Sequence, residues 1–254
     1  MSFSVTLVGT RGRMGAMFLD CWSKTRPVHA VNRAPDGTGN RVFREDDLAA
    51  AVPRGDVVML CVPAPAMPET LAAVLPHMRE TQLLTDVCSV KVNPMRWMRE
   101  AFAGPVIGTH PLFGPENEHK GARVALVRGH GATDAHMTML TELFREMGCV
   151  LFETTAEAHD RAAGISQSLH FALAAAYFAM AAREKDLEQY ITPSFLRWRD
   201  AARNELTANA PMFGEFTRAN PLFPGVLAEL AETLREAGVD GLDALAKEAR
   251  AWYA

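Results

Sequence analysis

Short apolar runs alternate with helix-compatible stretches over the first 155 positions, and the alternation stops at Ala156. Ser4–Val8, Val28–Val31, Asp56–Val62, Gln82–Val87, Val106–Thr109, Arg123–Arg128 and Cys149–Glu153 are rich in β-branched and apolar residues, the composition of strands. Between them Ala16–Lys24, Met67–Met78, Met95–Phe102 and Thr133–Met147 read as helices, with Asn93 as a cap, Pro94 as a first helical residue and Gly148 as a stop. Asp56–Val62 is almost continuously apolar, as a central parallel strand covered on both faces must be. This order predicts an α/β fold with a doubly wound parallel sheet, whose ligands lie outside the carboxyl ends of the strands. From Ala156 onward only helical periodicity remains. The expected division is therefore 1–155, an α/β domain, and 156–254, an all-helical domain.

The helical half repeats the contrast on a smaller scale. Ile165, Leu169, Leu173, Ala176 and Met180 form one apolar stripe, and the segment from Ala162 to Ala182 reads as a buried helix. Asp160, Ser166, Gln167 and His170 fall on another side, and polar groups in so apolar a helix should face water or a site. Thr192-Pro193 opens a segment with Arg197, Arg199 and Arg203, the densest cluster able to hold a carboxylate there. Two amphipathic helices follow, around Leu227, Leu230 and Leu234 and around Leu242, Leu245 and Trp252, suited to packing or to a homodimer surface.

Composition narrows the class without naming a reaction. The 254 residues are 48% hydrophobic and 22% charged with a net charge of −4, so no nucleic-acid or membrane partner is expected. Cys21, Cys61, Cys88 and Cys149 are scattered without a CxxC pair, which suits buried thiols in a reducing cytoplasm and no metal site. The start of the chain carries no basic-then-apolar signal pattern, so secretion is not expected.

Chemistry enters at the strand ends. Gly9-Thr10-Arg11-Gly12-Arg13-Met14-Gly15 joins the first strand to the first helix, the context of a Rossmann-like dinucleotide site. The spacing is GxxGxxG, a variant of the usual turn. Asn32-Arg33 ends the second strand where NAD enzymes commonly place an acidic side chain; an arginine there can meet a 2′-phosphate, with Arg41 or Arg44 assisting. NADP is thus favoured and NAD left open. Val62 and Pro63 would line the cofactor from the next strand end. Ser89 and Lys91, in a further strand-to-helix loop, offer a hydroxyl and an ammonium to a polar substrate. Gly108-Thr109-His110-Pro111-Leu112-Phe113-Gly114-Pro115 reads as a stiff, shaped loop that presents His110 at the same edge.

Four segments resemble the prephenate dehydrogenase family, which includes the arogenate and cyclohexadienyl dehydrogenases. They are Val8 to Gly15, Thr85 to Lys91, Gly108 to Pro115, and His159-Asp160 followed by Ser166 to Phe171. The glycine turn also looks like that of dihydrodipicolinate reductases, which lack the later motifs. The resemblance implies NAD(P)-dependent oxidative decarboxylation of prephenate to 4-hydroxyphenylpyruvate, or of arogenate to tyrosine. It implies that His110 accepts the substrate hydroxyl proton and that Ser89 hydrogen-bonds the same hydroxyl. It places His170 and an arginine against the substrate, with Arg197 preferred and Arg199 or Arg203 as alternatives. Gln167 and Lys91 complete the expected substrate contacts. Neither a fused chorismate mutase domain nor a carboxyl-terminal regulatory domain is expected. Two other readings stay open: a reductase of another small acid or imine, and a non-catalytic dinucleotide sensor.

Overall fold

A computed structural model gives the architecture and describes residues 3–35 and 41–253. The strands are β1 (Val5–Val8), β2 (Val28–Val31), β3 (Ala34–Pro35), β4 (Arg41–Val42), β5 (Val57–Leu60), β6 (Leu83–Asp86), β7 (Val106–Pro111), β8 (Arg123–Arg128) and β9 (Val150–Glu153). Seven of them form one sheet in the order β2-β1-β5-β6-β7-β8-β9, while β3 and β4 pair antiparallel by themselves. Five helices punctuate these strands: α1 (Arg13–Trp22), α2 (Glu45–Ala51), α3 (Met67–Val74), α4 (Val92–Ala101) and α5 (Asp134–Glu146).

β1, β5 and β6 are buried at every position, as expected of parallel strands with both faces covered. Phe18 and Trp22 of α1 are one turn apart and stack on each other with ring centroids 4.6 Å apart, and Phe144 of α5 meets both edge-on. The Trp22 indole N–H donates to the Leu143 carbonyl at 2.9 Å, so this large side chain is buried without stranding its donor.

The expected α/β, Rossmann-like sheet is present, and two of its details differ. The sheet is not wholly parallel: β8 runs antiparallel to β7, and β9 is parallel to β8. The connection from β7 to β8 contains no helix to carry the chain back, so the next strand returns in the opposite direction. Gly108–Pro111 is not a loop either. It is the buried end of β7, with His110 opposite Ala125 and Pro111 opposite Val124. Pairing with β6 stops at Gly108, so beyond it the strand has β8 on one side alone, a place that tolerates proline.

Contacts divide the chain after Asp160, within α6 (Ala156–Ala163). The second unit, Arg161–Ala254, continues with a π-helical stretch (Gly164–Leu169), then α7 (His170–Ala181), α8 (Pro193–Leu206), α9 (Ala210–Ala219), α10 (Phe223–Ala237) and α11 (Leu242–Ala249). Thr192 caps α8 by accepting the Phe195 N–H, with Pro193 in the first turn as its sequence suggests. The long apolar segment is not a buried helix throughout. Ala163, Gly164, Ser168 and Ala174 are buried, whereas Ile165, Leu173 and Met180 of the expected core stripe are exposed. The small residues allow close approach: a Cβ on Gly164 would lie 3.3 Å from the Val226 side chain. Among the described residues no helix is long and apolar enough to cross a membrane.

Candidate active site

The glycine turn occupies the point where the strand order reverses, between β1 and β5. Gly9 takes φ +100° and its N–H donates to the Val31 carbonyl; a Cβ there would come within 2.6 Å of the Cys61 carbonyl and 3.2 Å of Val62. Gly15 is as tightly constrained, since a Cβ would reach 2.5 Å from the Gly9 carbonyl. Gly12 is the N-cap of α1 and supplies no side chain, so the first N–H groups of the helix are left for a ligand. A turn pressed onto the strand beside it, with a bare helix N-terminus and no acidic residue in its first turn, fits the pyrophosphate of a dinucleotide. Pro63 follows at the end of β5 and caps a short 3₁₀ turn.

Asn32 serves the turn itself. Its Oδ1 accepts the Arg11 N–H at 2.9 Å and its Nδ2 donates to Thr10 Oγ1 at 2.8 Å, so the carboxamide holds the glycine turn. The Arg33 carbonyl gathers two guanidinium groups, from Arg11 at 3.3 Å and Arg41 at 2.8 Å. Arg33 is itself 3.8 Å from Glu69, and Arg13 pairs with Glu116. Arg11 and Arg41 thus bring two guanidinium groups to the Arg33 backbone beyond β2, while the Arg33 side chain faces Glu69. Arg44 stands at the N-cap of α2.

The second cluster is built at the ends of β6 and β7. Asp86, the last residue of β6, is fully buried and accepts from the Cys88 N–H at 2.9 Å and from Lys91 Nζ at 2.5 Å. Lys91 Nζ also donates to the Thr109 carbonyl at 2.6 Å, and Thr109 Oγ1 donates back to the Asp86 carbonyl at 2.5 Å. Lys91 is 0% exposed. Its ammonium is spent on tying β6 to β7, so the expectation that it meets substrate is replaced by a structural role. Ser89, three residues beyond Asp86, is half-buried in the same loop.

Beside this ion pair His110 forms the head of a linear chain. His110 Nδ1 lies 2.8 Å from His159 Nε2, and His159 Nδ1 lies 2.8 Å from Asp160 Oδ1. Asp160 in turn accepts the Lys91 N–H on Oδ1 at 2.6 Å and the Val92 N–H on Oδ2 at 2.8 Å. It thereby caps α4, which begins at Val92 and not at Pro94. A carboxylate reached from a distant segment supplies the cap, and Asn93 instead accepts a hydrogen bond from Arg96. Because both oxygens of Asp160 accept from backbone donors, His159 Nδ1 must be its donor. His159 Nε2 is then the acceptor for an Nδ1–H of His110, which leaves the lone pair of His110 on Nε2. Burial, with the neighbouring His159 and the Lys91 ammonium adding to it, holds the His110 pKa well below the ordinary histidine range.

The candidates in the second unit are of another kind. His170 is exposed and lies 3.1 Å from Glu205, Gln167 is half-buried, and Arg197 reaches the Ser194 hydroxyl at 2.9 Å. Arg199 and Arg203 both pair with Asp200. Of the three arginines, Arg197 is the one whose charge is met by a hydroxyl and not by a carboxylate.

Sequence reasoning placed His110 at the right edge but missed His159 as its partner. The His159-Asp160 dipeptide is the available signal, but helical spacing joins Asp160 alone to Ser166, Gln167 and His170.

Comparison with known proteins adds the following. Residues 33–152 match the family model described as prephenate dehydrogenase, nucleotide-binding domain. The T-protein of Haemophilus influenzae is 30% identical over 171 residues, 66% of this chain and 42% of that protein. A probable arogenate/prephenate dehydrogenase of Methanocaldococcus jannaschii is 27% identical over 223 residues, 82% of this chain and 50% of that protein. The chain thus spans about half the length of the curated relatives it matches. In fold it is similar to prephenate dehydrogenase from A. aeolicus, solved with hydroxyphenyl propionate and NAD+ (TM-score 0.73, 19% identity, 100% of this chain and 98% of that chain).

Proposed function

Because this chain belongs to the prephenate dehydrogenase family, we propose that it oxidatively decarboxylates prephenate to 4-hydroxyphenylpyruvate, a step of tyrosine biosynthesis, using a nicotinamide dinucleotide. The observation that carries this reading is the orientation of His110, a buried, neutral imidazole whose Nδ1 is engaged by His159 and whose Nε2 remains for a substrate. Arogenate is the second substrate reading, supported by the similarity to the probable arogenate/prephenate dehydrogenase of Methanocaldococcus jannaschii. It differs from prephenate in carrying an amino group where prephenate carries a keto group.

The chain's residues divide the work as follows. Gly9 to Gly15 would hold the pyrophosphate, with Val62 and Pro63 alongside, and the nicotinamide when bound accepts the hydride from the hydroxyl-bearing ring carbon. His110 Nε2 takes the hydroxyl proton, which pushes that carbon toward a ketone. Ser89 hydrogen-bonds the same oxygen. As the ring carboxylate departs as carbon dioxide, the electron pair of the broken bond ends on the ring oxygen, and His110 returns the proton to it. The gain of an aromatic ring makes this step strongly downhill. Arg197 meets a substrate carboxylate in bidentate fashion, and His170 and Gln167 hold the rest.

The arginines beyond β2 favour NADP: Arg33, joined by Arg11 and Arg41, suits a 2′-phosphate better than a ribose hydroxyl. The exposed Ile165, Leu173 and Met180 suit a homodimer, which sedimentation of the full chain would test. Parallel kinetics with prephenate and arogenate against NAD and NADP test the whole reading. Turnover of either substrate supports it, and failure of all four combinations sinks it.

A further inference from the structure

The neighbours of His110 pose a question that its own role does not answer. Once Nε2 takes a proton, the ring would be a cation that is 5% exposed, beside the buried ammonium of Lys91. Lys91 is already committed to Asp86 and the Thr109 carbonyl and cannot move away. A positive charge fixed there is poorly placed. His159 offers a better one, because its far nitrogen lies against the Asp160 carboxylate, 2.8 Å away.

We propose that His159, anchored by Asp160, is the resting place of the proton for as long as the reaction needs it stored. The inference rests on the assignment of His110 as base. In the forward direction the substrate O–H bond breaks and an N–H bond forms at His110 Nε2. The Nδ1–H bond of His110 breaks and its proton joins His159 Nε2, across the 2.8 Å contact. His110 stays neutral, while His159 keeps its own Nδ1–H on Asp160 and becomes the cation. When carbon dioxide has left, the two transfers reverse and the ring oxygen recovers its proton, so no proton is gained or lost overall. His159 touches neither substrate nor cofactor in this scheme; it positions His110 and carries charge for it.

Geometry supports the assignment in three ways. The donor order along the chain is fixed by the two backbone N–H groups that Asp160 accepts, so His159 Nε2 has its lone pair toward His110. The rings are inclined at 67° with centroids 5.0 Å apart, which turns nitrogen to nitrogen and not face to face. Both histidines and Asp160 are buried, so the line is screened from bulk solvent.

Two measurements test this, one of which needs no turnover. In the ¹⁵N-labelled full chain without cofactor, both histidines should be protonated at Nδ1 at neutral pH. On acidification His159 should be the ring that becomes the doubly protonated cation, while His110 stays neutral as the Nε2–H tautomer whose Nδ1 accepts from His159 across the 2.8 Å contact, under the combined influence of Lys91, Asp86 and Asp160. A doubly protonated His110 beside a neutral His159 overturns the proposal. The second measurement uses His159→Gln, whose amide oxygen can accept from His110 Nδ1–H and whose amide nitrogen can donate to Asp160, but which cannot take up a proton. We expect kcat to fall about a hundredfold, with substrate KM, cofactor affinity and thermal midpoint close to those of the unmodified chain. A kcat at the unmodified level in His159→Gln would mean that the histidine only orients its neighbour, and so would a rise in KM alone. Absence of turnover in the unmodified chain would count against the dehydrogenase reading, and the nuclear magnetic resonance result would still decide where the pair holds its proton.

Discussion

Asp86, Lys91, His110, His159 and Asp160 are all buried in the first unit, and each is bonded to another of the set or to a backbone group that the set orders. His170, Arg197, Arg199 and Arg203 of the second unit lie exposed, paired with Glu205, Ser194 or Asp200 on the surface. The difference lies in what each arrangement can afford to leave open. A buried polar group must have its partner before any ligand arrives, because an unmet charge there costs several kcal/mol. An exposed one has water as a substitute and can exchange it for a ligand. The first region is therefore set in advance around a single free nitrogen, and the second keeps its cations available.

Four experiments would break or sharpen that contrast. The largest effect is expected at His110: His110→Asn should lower kcat by roughly 10²–10⁴-fold with dinucleotide affinity retained, and unchanged turnover would remove the first region's claim to the chemistry. Next, Lys91→Met should destabilise the fold by about 3–5 kcal/mol, read from urea unfolding, because Asp86 would keep a buried charge without its partner. If Lys91 contacted substrate instead, stability would hold and KM would rise. Arg197→Met should do what Lys91→Met does not, raising substrate KM about ten- to a hundredfold with an unchanged thermal midpoint, while the same change at Arg199 should have little effect.

The smallest effect is a pH dependence of stability. Unfolded His110 binds a proton near pH ~6.5, whereas folded His110 resists it until lower pH. Below that point the unfolded state holds more protons, so the unfolding free energy falls by up to about 1.4 kcal/mol per pH unit until the folded value is reached. His110→Asn should remove this share of the acid sensitivity, as thermal midpoints measured across the window would show. The same depression keeps the base neutral in mildly acidic solution, so the acid limb of kcat/KM should lie well below the usual histidine range.

The strands, the glycine turn and the change from α/β to all-helical sequence were legible because each writes its period or its turn residues locally. The end of β7 was not, since Gly108 and Pro111 carry loop composition and are held in the sheet by pairing with β8. Lys91 reads as a substrate contact because nothing in its neighbourhood announces a buried Asp86 turned toward it. Asp160 escapes a helical count for a geometric reason: 3.6 residues per turn carries it to Ser166, Gln167 and His170, but the π-helical stretch Gly164–Leu169 slips that register. Asp160 is accordingly buried, and Ser166 and His170 are exposed.

The cap that Asp160 gives to α4 also bears on how the chain is made. Its acceptor lies 69 residues beyond the amide it serves at Lys91. During synthesis α4 emerges with its first N–H groups open, and the loop that closes on them is long enough to delay the contact. A polypeptide ended at residue 155, where composition changes, would contain every strand of the sheet and still lack the residue that completes its fourth helix. One ended after α6 would contain it. The longer piece should unfold at higher urea than the shorter by at least the roughly 1 kcal/mol of a helix cap, which makes the last turn of the nucleotide-binding unit a late but necessary step in its assembly.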